Sequence, residues 1–245
     1  MQEVKKLEDL NIPVSQSTSH IAETVVSSIH EAEAPLYIEF SNKNKKDLKE
    51  TFRNVDFKNP KEDRYAKIFN NYVKKFEEKA RDKGIGILMT GNPGTGKTFF
   101  ANCIWNELKH KNRVYKTSFG KYVREIQDKF EEDKYLERVK RADLIILDDL
   151  GNEYFKDDER GSWKKEVLFN LFNTIYENEI SLIITTNLNE EELKKFLEIK
   201  GSYKVYDRML EKCTAFNFDW ESRRAKLYET EMKELFRLPG RLDES

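Results

Sequence analysis

The chain has 245 residues, 38% hydrophobic and 12% aromatic, enough to fill one ordinary core and leave an appendage, so one main domain with an extension is expected. Charge is dense but balanced, 44 basic against 45 acidic residues, so net charge points to neither nucleic acid nor membrane, and any DNA contact must come from a local patch. No apolar stretch exceeds strand length and the N-terminus lacks a basic-then-apolar leader, so a soluble, cytoplasmic chain without a membrane partner is expected; two separated cysteines, Cys103 and Cys213, and three scattered histidines argue against a structural metal.

In chain order, residues 1–60 differ in character from the rest of the chain. They hold a charged start, a Ser/Thr-rich stretch and a weak amphipathic pattern through Ile21, Val25 and Ile29. The punctuation at Asn42-Lys43-Asn44-Lys45-Lys46 and Asn59-Pro60 places a boundary near residue 60. Two readings stand for this extension, a disordered tail or a partner-binding segment that orders on its target. Tyr65, Ile68, Phe69, Tyr72, Val73 and Phe76 then share one helix face, expected to pack the first strand and back an adenine ring, and Gly84 stops that helix. After it strands at 85–90, 113–117, 143–148, 181–187 and 213–218 alternate with helices at 97–109, 119–131, 163–177, 189–198 and 204–212. That alternation predicts a layered α/β domain with right-handed crossovers.

Gly91-Asn92-Pro93-Gly94-Thr95-Gly96-Lys97-Thr98 satisfies G-x-x-x-x-G-K-[ST] in full, between an apolar run and a helical pattern. Its glycines allow the positive-φ turns that point N–H groups inward, and the next helix adds its positive dipole end, a concavity suited to phosphate oxygens. Lys97 would reach the β- and γ-phosphates of a bound nucleotide, and the Thr98 hydroxyl would ligate Mg²⁺. Ligands of such sheets lie beyond the carboxyl ends of the strands. There Leu144-Ile145-Ile146-Leu147 ends in Asp148, a candidate to hold Mg²⁺ or its waters, and Asp149, a candidate to polarise the attacking water. The strand Leu182 to Thr186 ends in Asn187, whose amide would orient that water, while Asn189 with Glu192 reads as a capping box.

Gly91 to Thr98, Leu147-Asp148-Asp149-Leu150-Gly151-Asn152-Glu153, Trp163-Lys164-Lys165-Glu166-Val167-Leu168, Thr185-Thr186-Asn187 and Tyr206-Asp207-Arg208-Met209-Leu210 together resemble the AAA+ ATPases of the bacterial DnaC/DnaI helicase-loader and IstB-like group. The likeness covers residues 61–228, and the aspartate run with its downstream tryptophan segment is far more specific than the P-loop. It implies a P-loop NTPase (AAA+/ASCE) three-layer sandwich, a five-stranded parallel sheet of order 5-1-4-3-2, no full helical lid, and residues 229–245 as a short tail. It also implies an ATP- and Mg²⁺-dependent ATPase that forms a homo-oligomer in the ATP state and loads a replicative DNA helicase onto single-stranded DNA. By that resemblance Lys97 and Thr98 match Walker A, Asp148 and Asp149 match Walker B, Asn187 the first sensor and Arg208 an arginine finger acting on a neighbour's γ-phosphate. Arg208 also reads as an ordinary surface charge, and Arg223 or Arg224 resembles the group's C-terminal arginine.

Two departures bear on partners. The DnaI type carries an N-terminal zinc module that this chain lacks, so a helicase contact would use another surface. The region between strands two and three, where the resemblance places a DNA-contacting insertion, holds Lys121, Arg124, Lys129, Lys134, Arg138, Lys140 and Arg141. Acidic residues dilute that patch, and Phe119, Tyr122, Val123, Ile126 and Phe130 fit one buried helix face. An IstB-type transposition helper shares nearly every motif. A small-molecule P-loop kinase would need a substrate pocket and an arginine-bearing lid instead of Asp148-Asp149, Asn187 and Arg208.

Overall fold

The computed structural model describes residues 47–53, 57, 59–129, 132–153 and 159–223. The tail at 229–245, Arg224 and most of the 1–60 extension lie outside the described residues. Five strands, β1 (Gly86–Gly91), β2 (Val114–Thr117), β3 (Leu144–Leu150), β4 (Ser181–Thr186) and β5 (Cys213–Phe218), pair in parallel in the order β2-β3-β4-β1-β5. Taken from the other edge this is 5-1-4-3-2, as expected.

β3 shows why the sheet is buried on both sides. Leu144 and Ile146 point into one core while Ile145 and Leu147 point into the other, in keeping with the two-residue period of a strand. Helices α1 (Pro60–Lys74) and α2 (Lys97–Leu108) cover the first face. The second is covered by α3 (Phe119–Lys129), α4 (Glu132–Lys140), α5 (Glu159–Glu177), α6 (Glu190–Phe196) and α7 (Lys204–Lys212). Asn59 caps α1 by accepting from the Lys61 N–H at 2.9 Å, with Pro60 at the first helical position, where its missing N–H costs nothing.

Three local differences from the sequence-based expectation have plain causes. Ile68 is 37% exposed, because the buried stripe of α1 runs through Glu62, Ala66 and Phe69 and Ile68 lies about 100° round the helix from Phe69. Phe76 is fully buried but sits in a separate short turn after α1 ends. Residues 132–140, given no element of their own by the sequence, form α4, which buries Tyr135 and Val139 against the same core as α3.

Packing of the α/β body reaches upstream of residue 60. Glu50 accepts from the Asn102 amide through its carboxylate (2.7 Å) and from the Asn106 amide through its backbone oxygen (2.9 Å), both from α2. Phe52 and Phe57 lie against the buried Phe100 of α2, with ring centroids 6.3 and 5.6 Å away. Residues 47–53 and Phe57 thus form a strap laid across the outer face of the P-loop helix. Replacing both Phe52 and Phe57 by Ala is expected to lower the unfolding free energy by about 2–5 kcal/mol, against about 0.5 or less for a true linker, as read by urea unfolding.

Candidate active site

The phosphate cradle is built where β1 turns into α2. Gly91, Gly94 and Gly96 all have positive φ, at 119°, 78° and 102°. A Cβ on Gly91 would lie 2.3 Å from the Phe218 carbonyl oxygen of β5, so the loop needs glycine there for space as well as for torsion. Lys97 is 6% exposed, and its ammonium donates to the loop's own carbonyls at Gly91 (2.6 Å) and Asn92 (2.7 Å). A cation with several donors on a flexible stem is therefore stored inside the loop that phosphate oxygens would enter. Thr95, fully buried, closes the loop by donating to the Asn92 carbonyl at 2.7 Å.

The segment after β5 is laid over this loop. The Trp220 indole N–H donates to the Thr95 carbonyl (3.0 Å) and the Arg223 backbone N–H to the Gly94 carbonyl (2.9 Å). The Arg223 guanidinium pairs with the Glu62 carboxylate at 2.7 Å and stands 5.4 Å over the Phe57 ring. Burial pushes the Glu62 carboxyl above its ordinary value, and the nearby Arg223 charge and hydrogen bond pull it part of the way back. Arg223 thus touches α1, the strap and the P-loop backbone together.

Asp148 meets the P-loop through the Thr98 hydroxyl and is joined to Asp149 through the buried hydroxyl of Thr185. Thr98 donates to Asp148 Oδ1 (3.0 Å), and Thr185 of β4 donates to the same oxygen (2.7 Å) while accepting from the Asp149 backbone N–H (2.8 Å). Asp149 has φ of 61°, unusual for a residue with a side chain, and the β3–β4 register shifts between Leu147 and Leu150. Its carboxylate accepts from the Asn187 amide at 3.1 Å on one oxygen and from the Asn152 amide on the other. Asn189 is the α6 cap, with both halves of the capping box to Glu192 formed, which leaves Asn187 to the aspartate.

The donor set fits the expected ligands. Thr98 and Asp148 present hard oxygens to one point, the pattern that suits Mg²⁺, and Lys97 with the loop N–H groups suits the phosphates. Beside them a cavity of about 730 Å³ opens at the carboxyl ends of β1 and β4, touching Gly91, Asn92 and Asn187. Arg208 is engaged elsewhere: its guanidinium donates to Asn173 Oδ1 on α5 and stacks 4.6 Å from the Tyr176 ring. Thr185, Asn152 and Glu62 have no role assigned by the sequence. The available signal for Thr185 is its place two residues before Asn187 at the end of a buried strand.

Of the insertion, Tyr122 and Tyr135 are buried against each other at 6.2 Å, so these rings belong to the core. Arg124, Lys134, Lys140 and Arg141 are exposed, with Lys140 paired to Glu137 at 2.6 Å.

Lys97→Ala is expected to abolish nucleotide binding with unchanged circular dichroism, because the ammonium meets the loop and not the core. Asp149→Asn should keep Mg·ATP binding and lose about 10²- to 10⁴-fold in turnover. Thr185→Val should lower turnover at least about tenfold and leave the Asp149 N–H unpaired, with Thr185→Ser restoring it, as measured by steady-state phosphate release.

The family described as IstB-like ATP binding protein matches residues 7–230. The replicative helicase loader DnaI of Bacillus subtilis (strain 168) is 28% identical over 189 residues, 71% of this chain and 58% of the loader, so the chain spans little more than half the length of that relative. Among solved structures, the DnaC helicase loader superposes with a TM-score of 0.60 at 23% identity, over 71% of this chain and 99% of that one. A DnaI crystal structure gives 0.60 at 20% identity, over 74% and 94%. These likenesses agree on the P-loop NTPase fold, and the chain belongs to the IstB-like ATP-binding protein family.

Proposed function

We propose that this protein is an Mg²⁺-dependent AAA+ ATPase of DNA replication, one that loads the replicative helicase onto single-stranded DNA and hydrolyses ATP at interfaces between its own copies in the cytoplasm. The observation that carries the hydrolytic reading is the convergence of Thr98, Asp148, Thr185, Asp149 and Asn187 at the carboxyl edge of the sheet. In that arrangement Lys97 would leave the Gly91 and Asn92 carbonyls for the β- and γ-phosphates, and Thr98 with Asp148 would hold the magnesium, which would supply charge neutralisation on the phosphates. Asp149 accepts the proton of the attacking water, and Asn187 turns that water toward phosphorus.

The interface reading is supported by where Arg208 lies. Its guanidinium engages Asn173 and Tyr176 of α5 and not Thr98, Asp148 or the P-loop, which supports its acting on a phosphoryl group held by a second copy. The cavity beside Asn187 leaves room for that approach. Exposed Arg124, Lys134 and Arg141 support a backbone contact with single-stranded DNA, and the likeness to DnaI supports the helicase as partner. The family match also supports a second reading, a helper ATPase of transposition. Association with a replicative helicase, as against a transposase with duplex DNA, separates the two in a pull-down with the ATP-bound protein.

The trans geometry has its own test. Arg208→Ala should bind ATP with wild-type affinity and lose on the order of 10³-fold or more in assembly-dependent hydrolysis. Mixed with Lys97→Ala, it should regain activity at interfaces that combine an intact P-loop with an intact arginine. Co-assembled mixtures that stay inactive would place the arginine's action in cis.

A further inference from the structure

Glu153 ends the Asp148-to-Glu153 run, yet the hydrolytic arrangement gives it no task. Its carboxylate bridges two backbone N–H groups from different parts of the chain. One oxygen accepts from Gly151 at 3.1 Å, and the other accepts from Gly120, in the first turn of α3, at 2.6 Å. The approach depends on glycine at 120, where a Cβ would lie 3.2 Å from the nearer oxygen and 3.5 Å from Cγ. At the other end Gly151 has φ of 99° and sits two residues after Asp149, whose φ is 61°.

The geometry points to Glu153 as a positioning residue that couples the nucleotide site to α3, an inference that rests on the ATPase reading. Its two oxygens are held at one spacing by the carboxylate, so any shift of the Gly151 N–H is carried to the Gly120 N–H. The Gly151 end moves with the Asp149 loop, because Asn152, its next residue, donates to the Asp149 carboxylate together with Asn187. Nucleotide binding that draws Asn187 or Asp149 toward phosphate therefore alters the loop on which the bridge hangs. The other end is the start of α3, where a carboxylate also favours the positive end of the helix dipole. One turn along, α3 presents the exposed Arg124 of the proposed DNA contact. The bridge thus connects the chemistry of the site with the orientation of the helix that would touch DNA.

The test uses the full chain and hydrogen exchange of the segment 118–127, with and without a non-hydrolysable ATP analogue and Mg²⁺. Glu153→Gln keeps the shape of the side chain but leaves one acceptor oxygen for two N–H groups. Gly120→Ala attacks the bridge from the α3 side with a better helix former, so it does not threaten the fold. In the wild type the analogue should change the exchange rate of this segment about threefold or more, and in both variants that nucleotide dependence should vanish while analogue affinity stays within about threefold. A purely structural role would raise exchange equally with and without nucleotide, and that result overturns the inference. Retention of the full shift in both variants, or a wild type that binds the analogue without any shift, also overturns it. A wild type that fails to bind the analogue sinks the ATPase reading with it, and the binding measurement alone reveals that failure.

Discussion

The Thr185 hydroxyl is the joint on which the site depends. A hydroxyl has one proton to give and lone pairs to receive, and here the proton goes to Asp148 while the oxygen takes the Asp149 N–H. One side chain thereby fixes both aspartates, in a buried position where water cannot compete. The left-handed backbone of Asp149 costs about 1–3 kcal/mol. It persists because its N–H, and both oxygens of its carboxylate, are held by Thr185, Asn187 and Asn152. Thr98 reaches the same Asp148 oxygen, so α2, β3 and β4 are tied at the point where phosphate and metal chemistry would occur.

The outer side of α2 is held by different means. Phe100, one turn past Lys97, lies beneath Phe52 and Phe57, and Phe57 in turn lies beneath the Arg223 guanidinium. That guanidinium also compensates the buried Glu62, while its backbone closes on Gly94. Because burial makes the Glu62 carboxyl bind its proton more tightly folded than unfolded, this acid costs stability as pH rises past the ordinary carboxylate range, and Arg223 offsets part of that cost. Retaining an acid there makes structural sense through Arg223: the pair draws the segment after β5 onto α1 and the P-loop. Movement of the strap would be felt at the phosphate cradle through a few aromatic contacts.

Much of this architecture is legible in the residues. The P-loop announces itself by spacing, Leu144 to Leu147 by four apolar positions of strand length, and the Asn189–Glu192 cap by its own offset. These signals are local, and local rules decide them. The features that stay hidden are non-local. A threonine inside a strand looks like any β-branched residue, and only the register of β3 beside β4 places Thr185 between two aspartates. The strap, which lies upstream of the expected boundary, stays hidden for a related reason: Glu50, Phe52 and Phe57 sit in a polar stretch with no period, so their packing on α2 comes from tertiary contact alone. The strand order likewise comes from resemblance to a family and not from the spacing of the strands.

α5 makes the parts interdependent. Its Asn170 amide donates to Glu132 at the start of α4 (3.0 Å), and one turn further its Asn173 accepts from Arg208 of α7. The two amides project from one stretch of a 19-residue helix whose body is packed into the core through Val167, Leu168 and Leu171. A helix so packed shifts as a unit more readily than it bends, since a tight core resists local deformation. On the proposed reading this joins the arm that would meet DNA to the arginine that would meet a neighbouring copy's phosphate. DNA held by α3 and α4 would then act on the hydrolytic competence of the adjacent subunit as well as its own, because Glu153 leads back to Asp149 while Asn170 and Asn173 lead outward to Arg208.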